Sequence, residues 1–428
     1  MQTVAFHTLG CKVNSYESEA MLHLFKEAEY QEVSFKEVAD VYVINTCTVT
    51  NTGDSKSRQM IRKAIRKNPH AIVCVVGCYS QVAAKEIEEI EGVNVILGTQ
   101  HRSRIVELVN QYKEENKTII KVDSVMKLKT FEDLNINAFK NTRAFLKIQE
   151  GCNNFCTFCI IPYARGRIRS REKDSVLQQA QRLVDNGYGE IVLTGIHTAG
   201  YGEDLKDYSF YNLLADLVHI KGLKRLRISS IETSQITDEI ISLIAKNPIV
   251  VEHLHVPIQS GCDSVLKRMR RKYTIDEFHQ KISKIRKLLP NMAFTTDVIV
   301  GFPGESEEEF ETTYQTIKNI GFTELHVFPY SPRKNTPAAT MKDQVDGKIK
   351  QERVNRLLEL SKELNSTYAK KQIGKTLPVL LETRDGANLI GHTDNYLKIK
   401  VKTKEDLIGQ VKDVIIEEYE DILIGSVI

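Results

Sequence analysis

The chain of 428 residues lacks a large excess of charge of either sign, long apolar runs and a basic leader segment. Its 59 lysines and arginines against 56 aspartates and glutamates give a net charge of +3, so a nucleic-acid partner would have to bind a local basic patch. The longest apolar stretches, such as residues 71–78, run about eight residues, whereas roughly 18 are needed to span a bilayer. The opening MQTVAFHTLGCK has no basic segment followed by a long apolar one. We therefore expect no secretory signal, no membrane partner and a cytoplasmic protein.

The sequence does contain ample apolar residues and eight cysteines. With 41% hydrophobic and 27% charged residues, its composition is that of a folded globular protein, and the length predicts two to four domains of about 150 residues each. In a cytosolic chain, cysteines bind metals or take part in catalysis more often than they form disulfides. The arrangement of the cysteines therefore decides the function.

Residues 1–112 alternate short β-branched runs with amphipathic stretches of helix length, which predicts an α/β domain with a parallel sheet of flavodoxin or Rossmann type. The strands are expected at 4–8, 41–45, 72–77 and 93–97, and the helices at 16–29, 54–68, 83–90 and 104–112. The polar, lysine-rich segment 113–142 is interpreted as a linker.

Residues 143–372 contain a second series of strands and helices, followed by a long charged helix at about 344–372. Its strands are expected near 145–148, 191–193, 225–229, 252–256, 296–300 and 324–328. Six such units are too few for a closed eight-fold barrel, so we expect a partial (β/α)6 barrel. Residues 373–428 switch to alternating patterns with glycine turns, which predicts a small all-β barrel.

Three cysteines, Cys152, Cys156 and Cys159, lie on one predicted loop in CNNFCTFC; we call them the loop cysteines. Three thiolates there can each ligate one iron of a [4Fe–4S] cube, which leaves the fourth iron open to substrate atoms. A zinc site would need a fourth ligand nearby, and the next histidine is His197. A disulfide would leave one thiol over, and core cysteines would not cluster between polar residues. The spacing favours an iron–sulfur cluster.

Three others, Cys11, Cys47 and Cys78, each follow the end of a predicted strand, in HTLGC, INTC and VVGC; we call them the dispersed cysteines. The carboxyl ends of parallel strands share one edge, where ligands bind, so we expect these thiols to converge on a second three-cysteine cluster. Ordinary burial is the alternative at each position. Cys74, inside IVCVV, and Cys262, at a turn, are interpreted as structural.

The spacing Cys-x3-Cys-x2-Cys after a barrel strand is the radical S-adenosylmethionine (SAM) signature. With GC, NTC and GC upstream and a β-barrel tail, the chain resembles the radical SAM methylthiotransferase family over nearly its whole length. The segments that carry the resemblance are HTLGCKVNSYE, INTCTVTNTGDSKSR, IQEGCNNFCTFCIIPYARG, LTGIHTAGYG and HLHVPIQSG. They most resemble the bacterial subgroup that acts on tRNA carrying N6-threonylcarbamoyladenosine at position 37, beside the anticodon. The resemblance implies an N-terminal cluster domain, a radical SAM barrel and an RNA-binding TRAM domain.

By this resemblance the cofactors are SAM and two [4Fe–4S] clusters, with no catalytic residue assigned beyond the cluster ligands. The loop cysteines hold the cluster that cleaves SAM to methionine and a 5′-deoxyadenosyl radical, and the dispersed cysteines hold an auxiliary cluster that carries the sulfur to be inserted. The radical takes hydrogen from C2 of the adenine, and a second SAM methylates the sulfur. The partners implied are the tRNA, an electron donor and a sulfur source, and the sequence identifies neither of the last two.

The resemblance also implies which residues hold SAM. Thr194 and Gly195 lie where the family contacts the SAM amino group, with LTG in place of the usual Gly-Gly-Glu. Glu232 suits ribose hydroxyls, and its alternative is a solvated loop charge. The further candidates, for ribose or carboxylate and for the adenine, are Gln259, Gly301 and Phe328 with Tyr330, and ordinary barrel packing is the alternative for the aromatic rings.

Basic stretches are the candidate RNA contacts, since basic side chains neutralise phosphates and release counterions. One is an alternating run beside the loop cysteines, and a second lies on a strand of the predicted small barrel, where lysines alternate with apolar residues. These candidates are Arg165, Arg167, Arg169 and Arg171, and Lys398, Lys400, Lys402 and Lys404. A third stretch, residues 264–288, is basic as well, although a solvated helix face is the usual explanation of such a run.

Two other functions stay open from the sequence. One keeps the chemistry and changes the substrate, to an isopentenyladenosine tRNA or a ribosomal protein. The other is a non-catalytic RNA-binding protein with structural or redox-sensing clusters, although a structural cluster has no use for a missing fourth ligand.

Overall fold

The computed structural model describes residues 1–136 and 142–428, which form three packed units. Part of the predicted linker 113–142 therefore lies outside the described residues. Among the described residues, no helix is both long and apolar enough to cross a membrane.

The first unit is a six-stranded, all-parallel sheet with the strand order β2-β1-β3-β4-β5-β6. Its strands are β1 (Thr3–Thr8), β2 (Gln31–Glu32), β3 (Val41–Thr46), β4 (Ile72–Gly77), β5 (Val95–Leu97) and β6 (Ile119–Lys121). Its helices are α1 (Lys12–Glu27), α2 (Asn51–Lys67), α3 (Cys78–Val82), α4 (Ala84–Glu88) and α5 (Ile105–Glu115). Every residue of β3 and β4 is buried, because helices cover both faces of a parallel sheet.

The predicted strands and helices of this unit are present, and the structure adds β2, α3 and β6. The helix expected at 83–90 is α4, which begins at Ala84, and a separate short helix, α3, ends before it at Val82. The segment interpreted as a linker contributes β6, whose residues pair with β5 in parallel register. The linker interpretation is wrong for β6, because a run of three residues is too short for periodicity to distinguish it from the surrounding polar chain.

The second unit is a partial barrel of six parallel strands. They are β7 (Arg143–Glu150), β9 (Glu190–Gly195), β10 (Arg225–Ile228), β11 (His253–His255), β12 (Ala293–Val300) and β13 (Glu324–Pro329), with β8 (Arg169–Ser170) antiparallel on the edge of β7. Isolated bridges between Leu226 and Val250 and between Ser230 and His255 connect β10 to the β11 side. This arrangement confirms the predicted partial (β/α)6 barrel.

The helices of the barrel cover its outside, and several of them begin at a side-chain cap. They are α6 (Ile161–Arg165), α7 (Lys173–Asp185), α8 (Phe210–Leu217), α9 (Asp238–Lys246), α10 (Asp263–Arg268), α11 (Ile275–Leu288) and α12 (Glu307–Ile320). The side chain of Ser306 accepts from the backbone N–H of Glu309, whose carboxylate accepts from the N–H of Ser306. Such a capping box satisfies two backbone N–H groups at the start of the helix.

A long helix leads into the third unit, a closed five-stranded barrel with the order β14-β15-β16-β18-β17. The elements are α13 (Gly347–Lys370), β14 (Thr376–Asp385), β15 (Asn388–Thr393), β16 (Lys398–Lys402), β17 (Val411–Tyr419) and β18 (Leu423–Val427). This confirms the predicted small all-β barrel. Closure leaves no free strand edge, which protects a small β domain from edge-to-edge association.

The turn between β15 and β16 docks the small barrel onto the large one. Its Tyr396 has φ +69°, and its ring stacks on His253 of β11 with 4.8 Å between the ring centroids. The guanidinium of Arg227 lies 4.8 Å from the same ring. Arg227 also donates to the carbonyl of Asp394 at 3.1 Å. Tyr396 therefore contacts side chains of the large barrel near the amino ends of its strands.

Candidate functional site

The dispersed cysteines meet at one edge of the first sheet. Cys11 precedes α1, Cys47 follows β3 and Cys78 begins α3, and their strands β1, β3 and β4 are neighbours in the sheet. A Cβ at Gly10, where φ is +104°, would lie only 2.9 Å from the Cβ of Cys47. The backbone before Cys11 therefore approaches Cys47 as closely as only glycine allows.

The electrostatics of the dispersed cysteines fit a metal cluster. Burial raises the pKa of the Cys78 thiol to about 12, and the neighbouring Cys11 and Cys47 add to the increase. Burial also raises the pKa of Cys47, and Cys11 adds to that shift. Three thiolates this close repel one another, and a cation bound between them removes that repulsion.

The loop cysteines lie beyond the carboxyl end of β7, after Gly151 with φ +75°. The N–H of Cys159 donates to the carbonyl of Cys156 at 3.0 Å, which folds the loop back on itself. Burial raises the pKa of Cys152 to about 11 and that of Cys159 to about 12, and in each case Cys156 contributes. The donor set is again three mutually interacting thiols, and it fits an iron–sulfur cluster.

Arg165, at the end of α6, connects the two sets of cysteines. Its Nε lies 3.0 Å from the sulfur of Cys78, although α6 follows directly on the loop of the loop cysteines. Its Nη2 donates to Asn14 at 2.7 Å. Asn14 in turn donates to the carbonyls of Leu9 and Thr46, at 2.7 and 3.0 Å. One guanidinium and one amide thus fix the loops that carry the dispersed cysteines.

A buried charge network surrounds Arg165. Glu17 of α1 binds Arg165, Lys147 and Arg102, and all four side chains are at most 2% exposed. Glu150, two residues before Cys152, binds Arg165 at 3.0 Å and also pairs with Lys147. Burial alone would raise the pKa of Glu17, but Arg102, Arg165 and Lys147 hold it well below its usual range. The network ties the first domain to the base of the cysteine loop.

Arg271 plays the corresponding role beside the loop cysteines. Its Nη1 lies 3.2 Å from the sulfur of Cys156 and 3.0 Å from the carboxylate of Glu232. Glu232 also accepts a hydrogen bond at 3.0 Å from Asn154, which lies between two of the loop cysteines. The structure thus places Glu232, a predicted SAM residue, beside the cluster loop rather than as a free loop charge.

A cavity of about 240 Å³ is lined by Cys159 and by the segment just after Cys47. Its wall combines the loop after Cys47, the loop of the loop cysteines and the carboxyl ends of β12 and β13. The lining residues are Val49, Thr50, Phe158, Cys159, Ile160, Ile161, Gln259, Asp297, Ile299, Phe328, Pro329, Tyr330 and Ser331. Of the predicted SAM residues, Gln259 and Phe328 therefore share this cavity, together with Tyr330.

The other predicted SAM residues lie outside the cavity wall. Thr194 is buried, and its hydroxyl donates to the carbonyl of Val192 at 3.2 Å. A Cβ at Gly195 would lie 2.9 Å from Oε1 of Gln149, whose amide donates to the carbonyl of Gly151. Gly301 has φ +68°, and Lys350 of α13 covers the position that a Cβ would take. The structure does not bring Gly301 to the cavity that Gln259 lines.

Three of the four arginines predicted to contact RNA are buried, so this prediction is wrong for them. Arg165, Arg169 and Arg171 are at most 1% exposed. Arg169 donates to the carbonyl of Arg165 at 3.1 Å, and Arg171 pairs with Asp133 at 2.7 Å. Their charges stabilise the fold and are inaccessible to phosphates.

Arg167 is the exception in this run. Its side chain is exposed, and its guanidinium lies 5.6 Å from the ring of Phe155 in the cysteine loop. Arg167 is therefore the member of the run that remains accessible to RNA beside the loop cysteines.

The predicted lysine face of the small barrel is present on β16. Lys398, Lys400 and Lys402 alternate with Ile399 and Val401, which are fully buried, so the three ammonium groups share the outer face. Two of them, Lys398 and Lys402, are exposed, and Lys400 is half-buried.

The lysine face also has limits. Lys404 lies beyond the end of the strand and is exposed. Lys402 pairs with Glu417 at 3.1 Å and with Glu418 at 3.6 Å. Phosphates would therefore compete with these carboxylates at one end of the face.

Several residues of the site carry little signal in the sequence. Asn14 and Glu17 stand close to Cys11 along the chain, which is the only hint of a role, and Arg102 has none. Arg271 lies in the basic stretch 264–288, where net charge alone gives it no distinct function. Cys74 is buried in the sheet core, as predicted.

Two family models match the chain. The Radical SAM superfamily matches residues 146–317, and the Uncharacterized protein family UPF0004 matches residues 3–98. The first contains the loop cysteines, and the second contains the dispersed cysteines.

Curated relatives match over nearly the whole chain. The Threonylcarbamoyladenosine tRNA methylthiotransferase MtaB of Bacillus subtilis (strain 168) is 56% identical, with 97% of this chain and 93% of that protein covered. The protein of the same name from Aquifex aeolicus (strain VF5) is 39% identical, with coverages of 96% and 100%. The tRNA-2-methylthio-N(6)-dimethylallyladenosine synthase of Carboxydothermus hydrogenoformans is 35% identical, with 96% of both chains covered.

A solved structure supports the fold. The radical S-adenosylmethionine methyltransferase TsrM from Kitasatospora setae, with cobalamin and a [4Fe-4S] cluster bound, matches with a TM-score of 0.57. The match covers 79% of this chain and 77% of that chain at 15% identity. At this identity the similarity concerns the fold alone.

Proposed function

The chain belongs to the family of threonylcarbamoyladenosine tRNA methylthiotransferases, and on that premise we propose that it inserts a methylthio group at C2 of N6-threonylcarbamoyladenosine in tRNA. The product is 2-methylthio-N6-threonylcarbamoyladenosine. The family uses SAM and two [4Fe–4S] clusters. Because its tRNA substrate is found in the cytoplasm, we place the protein there.

The observation that carries the proposal is that one cavity is lined both by Cys159 and by the segment just after Cys47, while Arg165, from the helix after the loop cysteines, contacts the sulfur of Cys78. Each set supplies three ligands, which suits a cube whose fourth iron binds something other than protein. The Val49–Thr50 backbone belongs to the first domain, whereas Cys159 and Phe328 belong to the barrel, and all of them line the cavity. A base held there would lie beside Cys159 and beside the segment that follows Cys47.

When bound, the clusters and SAM supply the radical and the sulfur for the reaction. The chain's own residues position the cysteine ligands and compensate their negative charge. Arg165 and Arg271 each place a guanidinium at hydrogen-bond distance from one cysteine sulfur, 3.0 Å from Cys78 and 3.2 Å from Cys156. Such groups stabilise thiolate ligands. Their own partners, Glu17 and Glu232, keep them from moving toward solvent.

Glu232, Gln259 and Phe328 are proposed to hold SAM. Glu232 has one carboxylate oxygen bound by Arg271 and Asn154, which orients the other toward ribose hydroxyls. Gln259 has φ +62°, and its backbone pairs with β12 through Asp297 and Ile299. This strained conformation holds Gln259 at the cavity wall, where its side chain can reach ribose or carboxylate.

The experiment uses anaerobically reconstituted protein, SAM, a chemical reductant and an anticodon stem-loop RNA that carries N6-threonylcarbamoyladenosine. Mass spectrometry of the digested RNA is expected to show the methylthio product, and chromatography is expected to show 5′-deoxyadenosine. Replacing all three loop cysteines with alanine should abolish both products. Replacing all three dispersed cysteines should abolish the methylthio product and leave 5′-deoxyadenosine formation. Cys262→Ala is the matched control and should change neither.

A second substrate tests the subgroup. The same stem-loop with N6-dimethylallyladenosine is the substrate class named for the relative at 35% identity. The 56% identity to the Bacillus subtilis protein leads us to expect conversion of the threonylcarbamoyl RNA in preference to the dimethylallyl RNA. Preferential conversion of the dimethylallyl RNA would overturn the proposed substrate while leaving the chemistry in place.

A further inference from the structure

Two histidines and an aspartate lie together on three neighbouring strands of the large barrel. They are His255 of β11, Asp297 of β12 and His326 of β13, and β12 pairs in parallel with both of the other strands. Asp297 and His326 are direct partners in the register of β12 and β13. One donor atom from each of the three side chains lies within 4.8 Å of the other two. We call these residues the barrel triad.

The strand pattern places the barrel triad on the inside of the barrel. The adjacent residues Leu254, Val298 and Leu325 belong to the hydrophobic core that the outer helices cover. Successive side chains of a strand point to opposite faces, so the triad faces the interior. Branched apolar side chains usually fill the interior of such a barrel. Packing alone therefore does not account for three polar residues at this place.

The spacing of the barrel triad fits ligands of a metal ion. Nε2 of His255 lies 3.3 Å from Oδ2 of Asp297, and two ligands of a tetrahedral zinc ion, each about 2.0–2.1 Å from it, are about 3.4 Å apart. The ring centroids of His255 and His326 are 5.5 Å apart, with the ring planes tilted by 38°. His326 is exposed, so its ring can turn by the roughly 1 Å that a shared ion requires.

A buried threonine holds the first histidine in the orientation that a metal needs. The hydroxyl of Thr295 lies 2.9 Å from Nδ1 of His255 and 3.0 Å from Nε2 of His253. When Nδ1 of His255 donates its proton to this hydroxyl, Nε2 carries the free lone pair and faces Asp297. Histidines that bind metals almost always donate a hydrogen bond from the second ring nitrogen in this way.

The barrel triad lies between two cavities and has binding capacity left over. Asp297 lines the cavity that Cys159 also lines. His326 lines a larger cavity of about 870 Å³, whose wall includes Ser361 of α13 and Lys398 of the small barrel. Within residues 1–136 and 142–428, the ring of His326 makes no hydrogen bond and no ion pair. The larger cavity thus gives an ion a route to the triad.

We propose that His255, Asp297 and His326 bind one divalent transition-metal ion of the zinc and iron(II) class, separate from the two clusters. Two imidazoles and one carboxylate are donors that these ions prefer, and three protein ligands leave a coordination position for water or another ligand. The smaller cavity lies on the side of Asp297 and has room for that ligand. The inference does not depend on the proposed function, because it needs neither RNA nor SAM.

The test uses the protein with both clusters reconstituted and oxidised, freed of loosely bound metal, and Zn²⁺ as the probe. Equilibrium dialysis followed by elemental analysis should find about one zinc per chain in addition to about eight irons. Co²⁺ in place of Zn²⁺ should give the electron paramagnetic resonance signal of a high-spin ion, which oxidised [4Fe–4S] clusters do not produce.

Three variants locate the bound zinc. His326→Asn removes an exposed ligand and should weaken zinc binding about 100-fold or more, whereas Thr295→Val removes only the hydrogen bond to His255 and should weaken it about 10- to 100-fold. His279→Asn is the matched control. His279 is exposed on α11, so this variant removes one imidazole elsewhere and should bind zinc as wild type does. Iron content is measured for every variant, so that loss of a cluster is not mistaken for loss of zinc.

The outcomes decide the inference without reference to activity. Weaker binding in His326→Asn and Thr295→Val, with unchanged binding in His279→Asn, supports the site. Wild type that holds no zinc beyond its cluster irons overturns it. Zinc that His326→Asn retains at wild-type affinity is bound elsewhere, and this result overturns it as well. Conversion of the RNA, or failure to convert it, alters none of these readings.

Discussion

Arg165 Nε lies 3.0 Å from the sulfur of Cys78, although 87 residues separate the two in sequence. The guanidinium comes from the barrel, and the thiol comes from the first sheet. The position of the dispersed cysteines is therefore coupled to the position of α6, the helix that follows the loop cysteines.

Replacing Arg165 with methionine is expected to destabilise the protein by about 3–5 kcal/mol, because Glu17 and Glu150 would remain buried with less compensation. The change should also lower the occupancy of the cluster at the dispersed cysteines. Thermal unfolding and iron content, both measured anaerobically, check these effects. Arg167→Met removes the same charge from an exposed position, and an equal loss of stability in that variant would contradict the assignment.

Iron analysis tests the two cysteine sets independently of activity. Each cube holds four irons, so wild type should contain about eight per chain. Alanine at all three loop cysteines, or at all three dispersed cysteines, should reduce the content to about four. Cys262→Ala should leave it at about eight. A content of about four in wild type after full reconstitution would mean that one set does not form a cluster.

Stability should fall in acid through Glu190. Burial raises its pKa, but Arg227 and Arg225 outweigh this and lower it from 4.5 to about 2. A carboxyl whose pKa is lower in the folded state stabilises that state above the unfolded pKa. The stabilisation should therefore be present above about pH 4.5 and be lost as the pH falls toward 2.

The Glu190 effect is measured as the melting temperature between pH 7 and pH 3. Glu190→Gln should lower the melting temperature at pH 7 and flatten its dependence on pH. The control is Glu107→Gln, since Glu107 is paired with Arg104 at the surface, where ion pairs contribute little. Parallel curves for wild type and Glu190→Gln would contradict the prediction.

Glu232→Gln should weaken SAM binding about tenfold, a loss of about 1.4 kcal/mol, because an amide replaces a charged acceptor for ribose hydroxyls. Calorimetric titration of SAM into the reconstituted protein measures it. Glu203→Gln, at an exposed position in the preceding loop, should bind SAM as wild type does. Unchanged affinity in Glu232→Gln would remove this residue from the SAM site.

The lysine face of the small barrel is tested by changing Lys398, Lys400, Lys402 and Lys404 to glutamate. tRNA binding should weaken, and its dependence on salt should flatten by about 0.9 in logarithmic slope for each phosphate that is no longer neutralised. Changing the same four lysines to arginine keeps the charge and should keep the slope. An unaltered slope in the glutamate variant would discard the RNA assignment.

The sequence predicted those parts of the fold and site that depend on local spacing or strand order. The loop cysteines are seven positions apart at most, and Cys11, Cys47 and Cys78 follow neighbouring strands of a parallel sheet, so their grouping follows from topology. Alternation likewise placed Ile399 and Val401 inside the small barrel and Lys398 outside it.

Long-range charge pairing could not be predicted in this way. The alternating arginines from 165 to 171 have the pattern of an exposed basic strand. In the structure, Glu17 and Glu150 pair with Arg165, and Asp133 pairs with Arg171, so these two arginines are buried. The role of Arg271 could not be predicted from the sequence either. Its neighbours are also basic, and net charge does not distinguish a guanidinium that faces a thiol from one that faces water.

The stacking of Tyr396 on His253 makes the C-terminal module a cover for the amino-terminal end of the large barrel. A truncated chain ending after α13 would lose the ring that covers His253 and Arg227 as well as its lysine face, so water would reach these two side chains. A different module grafted onto this core would have to reproduce that one aromatic contact to keep the same end of the barrel covered.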